Sequence, residues 1–518
     1  MGRLCAAIIA ALFFGLWGFA AAAQDVTLTS RDGAIEVSGT LLGFDGEFYR
    51  VATQYGELTV DGSGVLCDGP GCPSLTDFVA EMSVSGSATA GEVLMPALIE
   101  SFALRQGMTA TRRTTDDTHF VYELVDGSGK VVGKFSFRVT NTDEGFADLL
   151  ADEADMVMAL REIRPSELRL AREAGLGDLK APNRSRVLAL DALVPIVSPR
   201  NPLRAISLAD LARVATGEID NWRALGGPDA PVILHLRDAA SGLSQGIEDR
   251  LIAPARGELR DEVERHATNA DLADAVARDP FGIGIASFSE TGNARPLVLT
   301  GRCGFSLSST RRNIKTEDYP LTAPMFLYLP ARRLPALARD FLTFTRSAPA
   351  QIVIRRAGFV DQDPEEISLD LQGDRLANAI RVAEDGTALS NLRDMVQTLV
   401  PMRRLTTSFR FETGSTRLDA QSRSNVEQLA RALEDGQYNG RRLVFVGFSD
   451  GEGPAASNLA IAERRAETVR TAVITAAETA DLEQIDIATD AFGEAMPMAC
   501  DDTAWGRQVN RRVEVWVE

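Results

Sequence analysis

Histidine is scarce in this chain: His119, His235 and His266 are the only three among 518 residues. Chemistry that needs a histidine base or a histidine-rich metal cluster therefore has almost nothing to draw on. Positive charge is short as well, with 54 lysines and arginines against 73 acids and a net charge of −19. A nucleic-acid binder needs a basic face, which this balance excludes. A small anion is not excluded, because backbone amides and one or two arginines are enough to set the potential of a pocket. Beyond the first residues no run is long and apolar enough to cross a membrane, and no internal repeat is evident. A single core is also excluded at this length, and about three domains are expected.

What is present begins with "MGRLCAAIIAALFFGLWGFAAAAQD". Arg3, an apolar run and Ala21-Ala22-Ala23 before Gln24 predict a cleaved secretory signal peptide over residues 1–23. An uncleaved anchor is the other reading, since Leu4 to Ala23 is about long enough to span a bilayer; the alanines argue for cleavage. Cys5 precedes the apolar run and so cannot be a lipoprotein cysteine. In "CDGPGC" a four-residue turn brings Cys67 and Cys72 together, and in an oxidising compartment a local disulfide is their natural state. A metal site would need two more ligands nearby, which the sequence lacks. Cys303 and Cys500 lie far apart, and their pairing stays open.

The chain reads as an α/β multidomain protein. Residues 24–80 form a small β-rich domain, where "AIEVSGTLLGFDGEFYRVATQYGELTV" alternates in short runs broken by Asp-Gly and Gly-Glu turns. That pattern predicts roughly three or four hairpin-linked strands. Residues 82–355 alternate strand, loop and helix. "RVLALDALVPIVS" is a buried strand, and "ISLADLARVATGEIDNW" is a helix that Ser207 caps with Asp210 at N3. "PVILHLRDAASGLSQGIEDRLI" is again strand, loop, helix. Such alternation predicts parallel sheets with ligand loops at the strand ends. Pro96 disturbs the helix after the first of these loops. Residues 356–405 are polar and helix-prone without strong strands, and are expected to be a helical linker. Residues 406–518 form a last α/β unit, with strands in "TSFRFET", "RRLVFVGF" and "NRRVEVWVE" and helices from Ala420 and about Pro454.

Within that unit, "GFSDG" at Gly447 to Gly451 fits the G-x-S-x-G elbow of serine hydrolases. The hydrolase order puts a histidine after the serine, and none follows Ser449. Ser449 is not a nucleophile. The helix beyond it has an apolar face at Leu459, Ala462, Ala466, Val469 and Val473, with Asn458, Ile461 and Arg465 as a second stripe. Asp450 in the loop and Arg465 on that stripe would frame a cleft for a zwitterion, carboxylate on ammonium and guanidinium on carboxylate. A solvated surface ion pair is the other reading. The stretch resembles the peptidoglycan-associating module of OmpA-like proteins: Ser449-Asp450, Gly453, Asn458, Ile461-Ala462, Arg465-Ala466, Gly506-Arg507 and Asn510 to Glu514 follow its signature in order. The resemblance implies that Asp450, Asn458 and Arg465 bind peptidoglycan, with Asp450 and Arg465 clamping its diaminopimelate. Phe448 stands for the usual histidine, Ser449 for threonine and Ile461-Ala462 for Leu-Ser; the charged contacts are intact.

The middle domain reads as an anion trap. "SGSATAG" and "RDAASGLS" each place hydroxyl and glycine residues between a strand and a helix, where backbone N–H groups are on offer. Arg237 adds a fork-shaped cation. Taken singly, each loop also reads as a plain turn. With "ADMVMALREIRPSE", "IVSPRNPLRAISLADLARVATGEIDNWRALGG", "FGIGIAS" and "YPLTAPMFLYLP", they resemble the periplasmic phosphate-binding proteins of ABC transporters. The resemblance implies a bilobal type II periplasmic-binding-protein fold closing over phosphate or a related oxyanion. Its ligand-binding positions carry over to Ser87, Thr89, Arg161, Arg237, Ser241 and Gly242. Three departures stand out. The second binding loop reads "TNTDEGF" (140–146) with two acids, Leu243 replaces a threonine, and Leu160 and Ala239 leave the family's acceptor carboxylate unmatched.

These readings imply a non-enzymatic periplasmic protein, associated with the cell wall or outer membrane, that captures an anion and is tethered to peptidoglycan. They imply no catalytic residue, cofactor or metal. An ABC permease or outer-membrane proteins stay open as further partners. A ligand-free scaffold whose bilobal domain contacts proteins is the alternative. A hydrolase ranks last, for want of a nucleophile–base pair.

Overall fold

The computed structural model describes residues 25–518 apart from positions 76, 302, 384–385 and 413. The expected signal peptide lies outside the described residues. The first segment folds into five antiparallel strands, in the order Gly56–Asp61, Phe48–Thr53, Glu36–Phe44, Val26–Ser30 and Val65–Asp68. Three of these lie in the alternating stretch, against the three or four expected, and Val26–Ser30 and Val65–Asp68 lie outside it. Cys67 is bonded to Cys72 as expected, which staples that edge strand. Val26, Leu28, Tyr49 and Val51 make a very small core, too small to hold a domain by itself. Glu47 ties it to the next domain through ion pairs with Arg333 and Arg339.

The next domain is built on one sheet of eleven strands. Its central strand, Ser185–Val197, is apolar along almost its whole length because both of its faces are covered. The first part pairs with Thr322–Tyr328 and the last part with Gly282–Ser287. The exchange falls between Ala192 and Leu193, so one strand passes from the first lobe into the second. In the first lobe Ala80–Ser87 lies parallel between Val131–Thr140 and Met156–Ala159. In the second, Ile233–Arg237 lies parallel between Glu264–His266 and Gly282–Ser287. Pro96 has no N–H to give, and the chain runs as a π-turn at Ala90–Leu94 before the α-helix Met95–Arg105 starts with Pro96 in its first turn. "TNTDEGF" is largely helix rather than loop: Thr142–Leu150 is capped by Asn141, whose Oδ1 accepts the Glu144 N–H at 3.0 Å.

The C-terminal sheet has the order Glu366–Ile367, Arg403–Arg410, Arg512–Val517, Arg442–Phe448 and Asp486–Gly493. Alternate residues of its strands face two apolar layers. Helices Ala420–Glu434 and Ala455–Ala476 pack on Phe409, Leu443, Phe445, Val513 and Val515. Leu392, Met395 and Leu399 pack on Val444, Val446, Phe448 and Trp516 of the other face. The segment expected to be a linker therefore supplies the second layer of this domain, through Gly386–Leu399 and Gly373–Val382. A sheet with only one covered face would leave Phe448 and Trp516 in water, which is the physical reason for the difference.

This domain does not stand off from the bilobal one. Cys303 of the second lobe is bonded to Cys500. Buried Arg404 donates to Asp318 at 2.7 Å, and Ser408 Oγ to the Thr316 carbonyl at 2.7 Å. The first lobe contributes an Arg346–Glu427 pair, a Lys180–Glu412 pair at 3.2 Å, and Glu162 accepting the Ala420 N–H at 2.8 Å. Both lobes thus touch the C-terminal domain.

Candidate functional sites

Gly86 shapes the first site. Its φ is +126°, and a Cβ there would stand 2.2 Å from the Met158 carbonyl oxygen, so only glycine lets the strand end this way. Ser87 follows, fully buried at the carboxyl end of its strand, with Thr140 as its register partner on the next one. The Ser87 and Thr140 hydroxyls are both buried with no hydrogen-bond partner among the described residues. Thr140 opens the "TNTDEGF" stretch and was not singled out; only the pairing of two distant strands reveals it. Ser241 and Gly242 come from the second lobe. Ser241 Oγ accepts the Ser244 N–H at 3.2 Å, and a Cβ on Gly242 would lie 2.7 Å from Ser87 Oγ.

Arg237 ends its strand and is buried, with Nη1 donating to Asn269 Oδ1 at 2.6 Å and Nε to the His266 carbonyl at 3.2 Å. Asn269 lines, with Thr89, Thr268 and Ser289, a crevice of about 120 Å³ between the lobes. The structure therefore brings Ser87, Thr89, Arg237, Ser241 and Gly242 to one cleft. That cleft is closed: Asn141 Nδ2 donates to the Ala240 carbonyl at 3.1 Å, and Arg250 Nη2 to the Leu160 carbonyl at 3.0 Å.

Arg161, next to Leu160, is engaged by carboxylates. It donates to both Glu167 oxygens, at 2.6 and 2.9 Å, and also to Asp143 and the Glu162 carbonyl. Burial works against its charge, yet Glu167 and Asp143 hold the guanidinium protonated above its ordinary range. Both terminal nitrogens are thus committed, while Nε is buried with no hydrogen-bond partner among the described residues. Arg164 bridges Asp143 to Asp249 in the same cluster, so these charges clasp the lobes.

The second site follows the strand Arg442–Phe448. A Cβ on Gly447 would meet the Ala462 carbonyl oxygen at 2.1 Å, so strand and helix pack in direct contact there. Ser449 is 4% exposed, and its Oγ is buried without a hydrogen-bond partner among the described residues. Asp450 comes next, its Oδ2 accepting from Arg511 Nη1 at 2.6 Å. Buried Asn458 donates to Glu494 Oε2 at 3.4 Å. Arg465 lies over the Phe411 ring at 5.4 Å, and its Nε has no hydrogen-bond partner among the described residues. Burial and then Arg511 push the Arg465 pKa below its usual range, while Asp450 opposes them. Asp450, Arg465 and Arg511 thus form one cluster with two guanidiniums to one carboxylate. Arg511 was legible only as part of the Asn-Arg-Arg stretch, with no role attached.

Residues 84–349 match the model of the PBP superfamily domain, and residues 410–511 match that of the OmpA family. Protein SphX of Synechococcus elongatus is 28% identical over 237 residues, 43% of this chain and 67% of that protein. Phosphate-binding protein PstS of Borreliella burgdorferi is 25% identical over 179 residues, 34% of this chain and 64% of that protein. The peptidoglycan-associated lipoprotein of Pseudomonas putida is 34% identical over 115 residues, 22% of this chain and 63% of that protein. The matched segments span about two thirds of each relative's own length. With its two-lobed sheet and the family model covering over half of its residues, the chain belongs to the PBP superfamily and carries an OmpA-family domain after it.

Proposed function

We propose that this protein captures phosphate or a related oxyanion between its lobes, while its C-terminal domain holds it non-covalently to peptidoglycan in the periplasm. The carrying observation is the buried hydroxyl of Ser87, which lies against Gly242, together with that of its register partner Thr140, both without a hydrogen-bond partner among the described residues. Leaving such a donor unmade costs about 1–3 kcal/mol, and an oxyanion supplies the acceptor. Arg237, with Nη1 and Nε anchored by Asn269 and His266, supplies the countercharge. The phosphate-binding relative supports the ligand class, and the peptidoglycan-associated relative supports the tether. On the wall side, Asp450 would take the ammonium and Arg465 the carboxylate of diaminopimelate.

Calorimetry of the mature chain against phosphate and sulfate tests the first half. Arg237→Ala removes a charged donor from a buried oxyanion, a loss of about 2–5 kcal/mol of binding. An absence of heat and of thermal shift with millimolar anion would overturn the reading. Leu160 and Ala239 stand at the positions that the resemblance gives the family's proton acceptor, and Asp143 is committed to Arg161 and Arg164. Phosphate and sulfate should consequently bind within about tenfold of each other, a gap of roughly 1.4 kcal/mol.

A further inference from the structure

The segment between the strand Asp486–Gly493 and the helix Ala504–Asn510 has neither helix nor strand of its own, yet it is buried through Met496, Met498, Ala499 and Cys500. Two things pin it. Asn510 accepts the N–H groups of Met498 and Ala499 at 2.7 and 3.1 Å and donates to the Ala499 carbonyl at 2.8 Å. Cys500 is bonded to Cys303, which lies between the strands Val298–Thr300 and Ser306–Leu307 of the second lobe. The next residue, Asp501, reaches the wall-binding loop. Its Oδ2 accepts the Gly451 N–H at 2.8 Å, and its Oδ1 accepts Asn510 Nδ2 at 2.9 Å. Gly451 directly follows Asp450, and residues 451–453 are otherwise exposed.

A continuous path of bonds therefore runs from the second lobe to the diaminopimelate clamp: Cys303, Cys500, Asp501, the Gly451 amide, Asp450. A glycine-containing loop loses much conformational freedom when ordered, and the bridge sets in advance where its anchor stands. We propose that the Cys303–Cys500 bridge, acting through Asp501, positions the loop of Asp450 for the wall peptide, so that tight attachment to peptidoglycan requires the oxidised, two-domain protein. Asp501 and Cys500 are positioning residues here; neither is assigned a contact with the ligand. The inference rests on the wall-binding reading given above.

The test uses the full mature chain, purified sacculi, and a soluble wall peptide carrying diaminopimelate, with its lysine counterpart as control. Cys303→Ser/Cys500→Ser is compared with wild type, which avoids reducing Cys67–Cys72. Its affinity for the diaminopimelate peptide should fall about tenfold, the scale of one charge-assisted hydrogen bond. Preference over the lysine peptide should shrink with it, an effect that general loosening would not produce. Asp501→Ala, which leaves the bridge intact, should show the same loss, and Asp501→Asn, which keeps one acceptor oxygen, a smaller one. In an Asp450→Ala background the serine pair should cost nothing further, since both changes act on one contact. Should the serine pair fail to fold, Asp501→Ala and its cycle with Asp450→Ala decide the matter. Wild-type affinity and selectivity in the folded serine pair or in Asp501→Ala would overturn the inference. A wild-type protein that ignores sacculi altogether would instead overturn the wall-binding reading beneath it.

Discussion

At the scale of single residues, two neighbours in the "GFSDG" stretch should behave in opposite ways. Gly447 has the Ala462 carbonyl where a Cβ would go, at 2.1 Å, so Gly447→Ala must push strand and helix apart. Overpacking of this kind costs about 1–3 kcal/mol, which urea unfolding will show as a lower midpoint. Ser449 carries a buried hydroxyl with no partner, so Ser449→Ala removes an unsatisfied group and should leave stability unchanged or slightly higher. Sacculi should retain Ser449→Ala as they retain wild type. Asp450→Ala and Arg465→Ala should each lose roughly tenfold in affinity, about 1.4 kcal/mol, because each leaves a ligand charge unpaired. Sedimentation of either variant with sacculi at wild-type levels would remove it from the clamp. That Ser449 lacks a following histidine was legible in the sequence. That Arg511 already holds Asp450 was not, since sixty-one positions separate the two residues.

At the scale of elements, the acidic "TNTDEGF" stretch changes character once folded. As a sequence it looks like a spoiled binding loop. In the fold its acids serve the helix Thr142–Leu150, whose first turn holds Asp143 and Glu144, where negative charge favours the helix dipole. Asn141 does double duty, capping that helix and donating to the Ala240 carbonyl across the cleft at 3.1 Å. Asn141→Ala should therefore cost about 1 kcal/mol of stability from the lost cap and also weaken anion binding, because the Ala240 contact belongs to the closed cleft. Denaturation and calorimetry on the same preparation separate the two losses; unchanged anion affinity would show that closure does not depend on this contact. The long strand Ser185–Val197 was readable as buried from its apolar run. Its division between two lobes was not, because both halves present the same pattern and only their partners differ.

At the scale of the whole molecule, buried charge fills the junction between the bilobal and C-terminal domains. Glu317 sits there, and burial pushes its carboxyl up to about 8, with Arg410 opposing and Asp419 and Asp318 adding to the rise. In the unfolded chain the same group ionises near its ordinary value of 4.5. Between these values the unfolded state binds fewer protons than the folded one, so this group makes stability fall as pH rises. Asp191 in the crossing strand, raised to about 6 by burial, adds the same sign over the lower part of that window. Glu317→Gln should flatten the decline in melting temperature between about pH 5 and pH 8 and make the variant the more stable protein at the upper end. A variant with the wild-type slope would place the pH dependence elsewhere. Local information in the sequence was enough for the order of domains, most strands and helices, and the Cys67–Cys72 staple. Each of these depends on residue periodicity, or on spacing within a short stretch, that the chain displays directly. The tertiary structure alone decided the Cys303–Cys500 bridge across 197 positions, the pairing of Thr140 with Ser87, the capture of Arg161 by its acids, and the use of residues 356–405 as a second layer. Those outcomes depend on which distant groups meet first in a shared interior. A buried charge or an uncovered apolar face takes whichever partner the fold brings near, and no spacing along the chain encodes that choice.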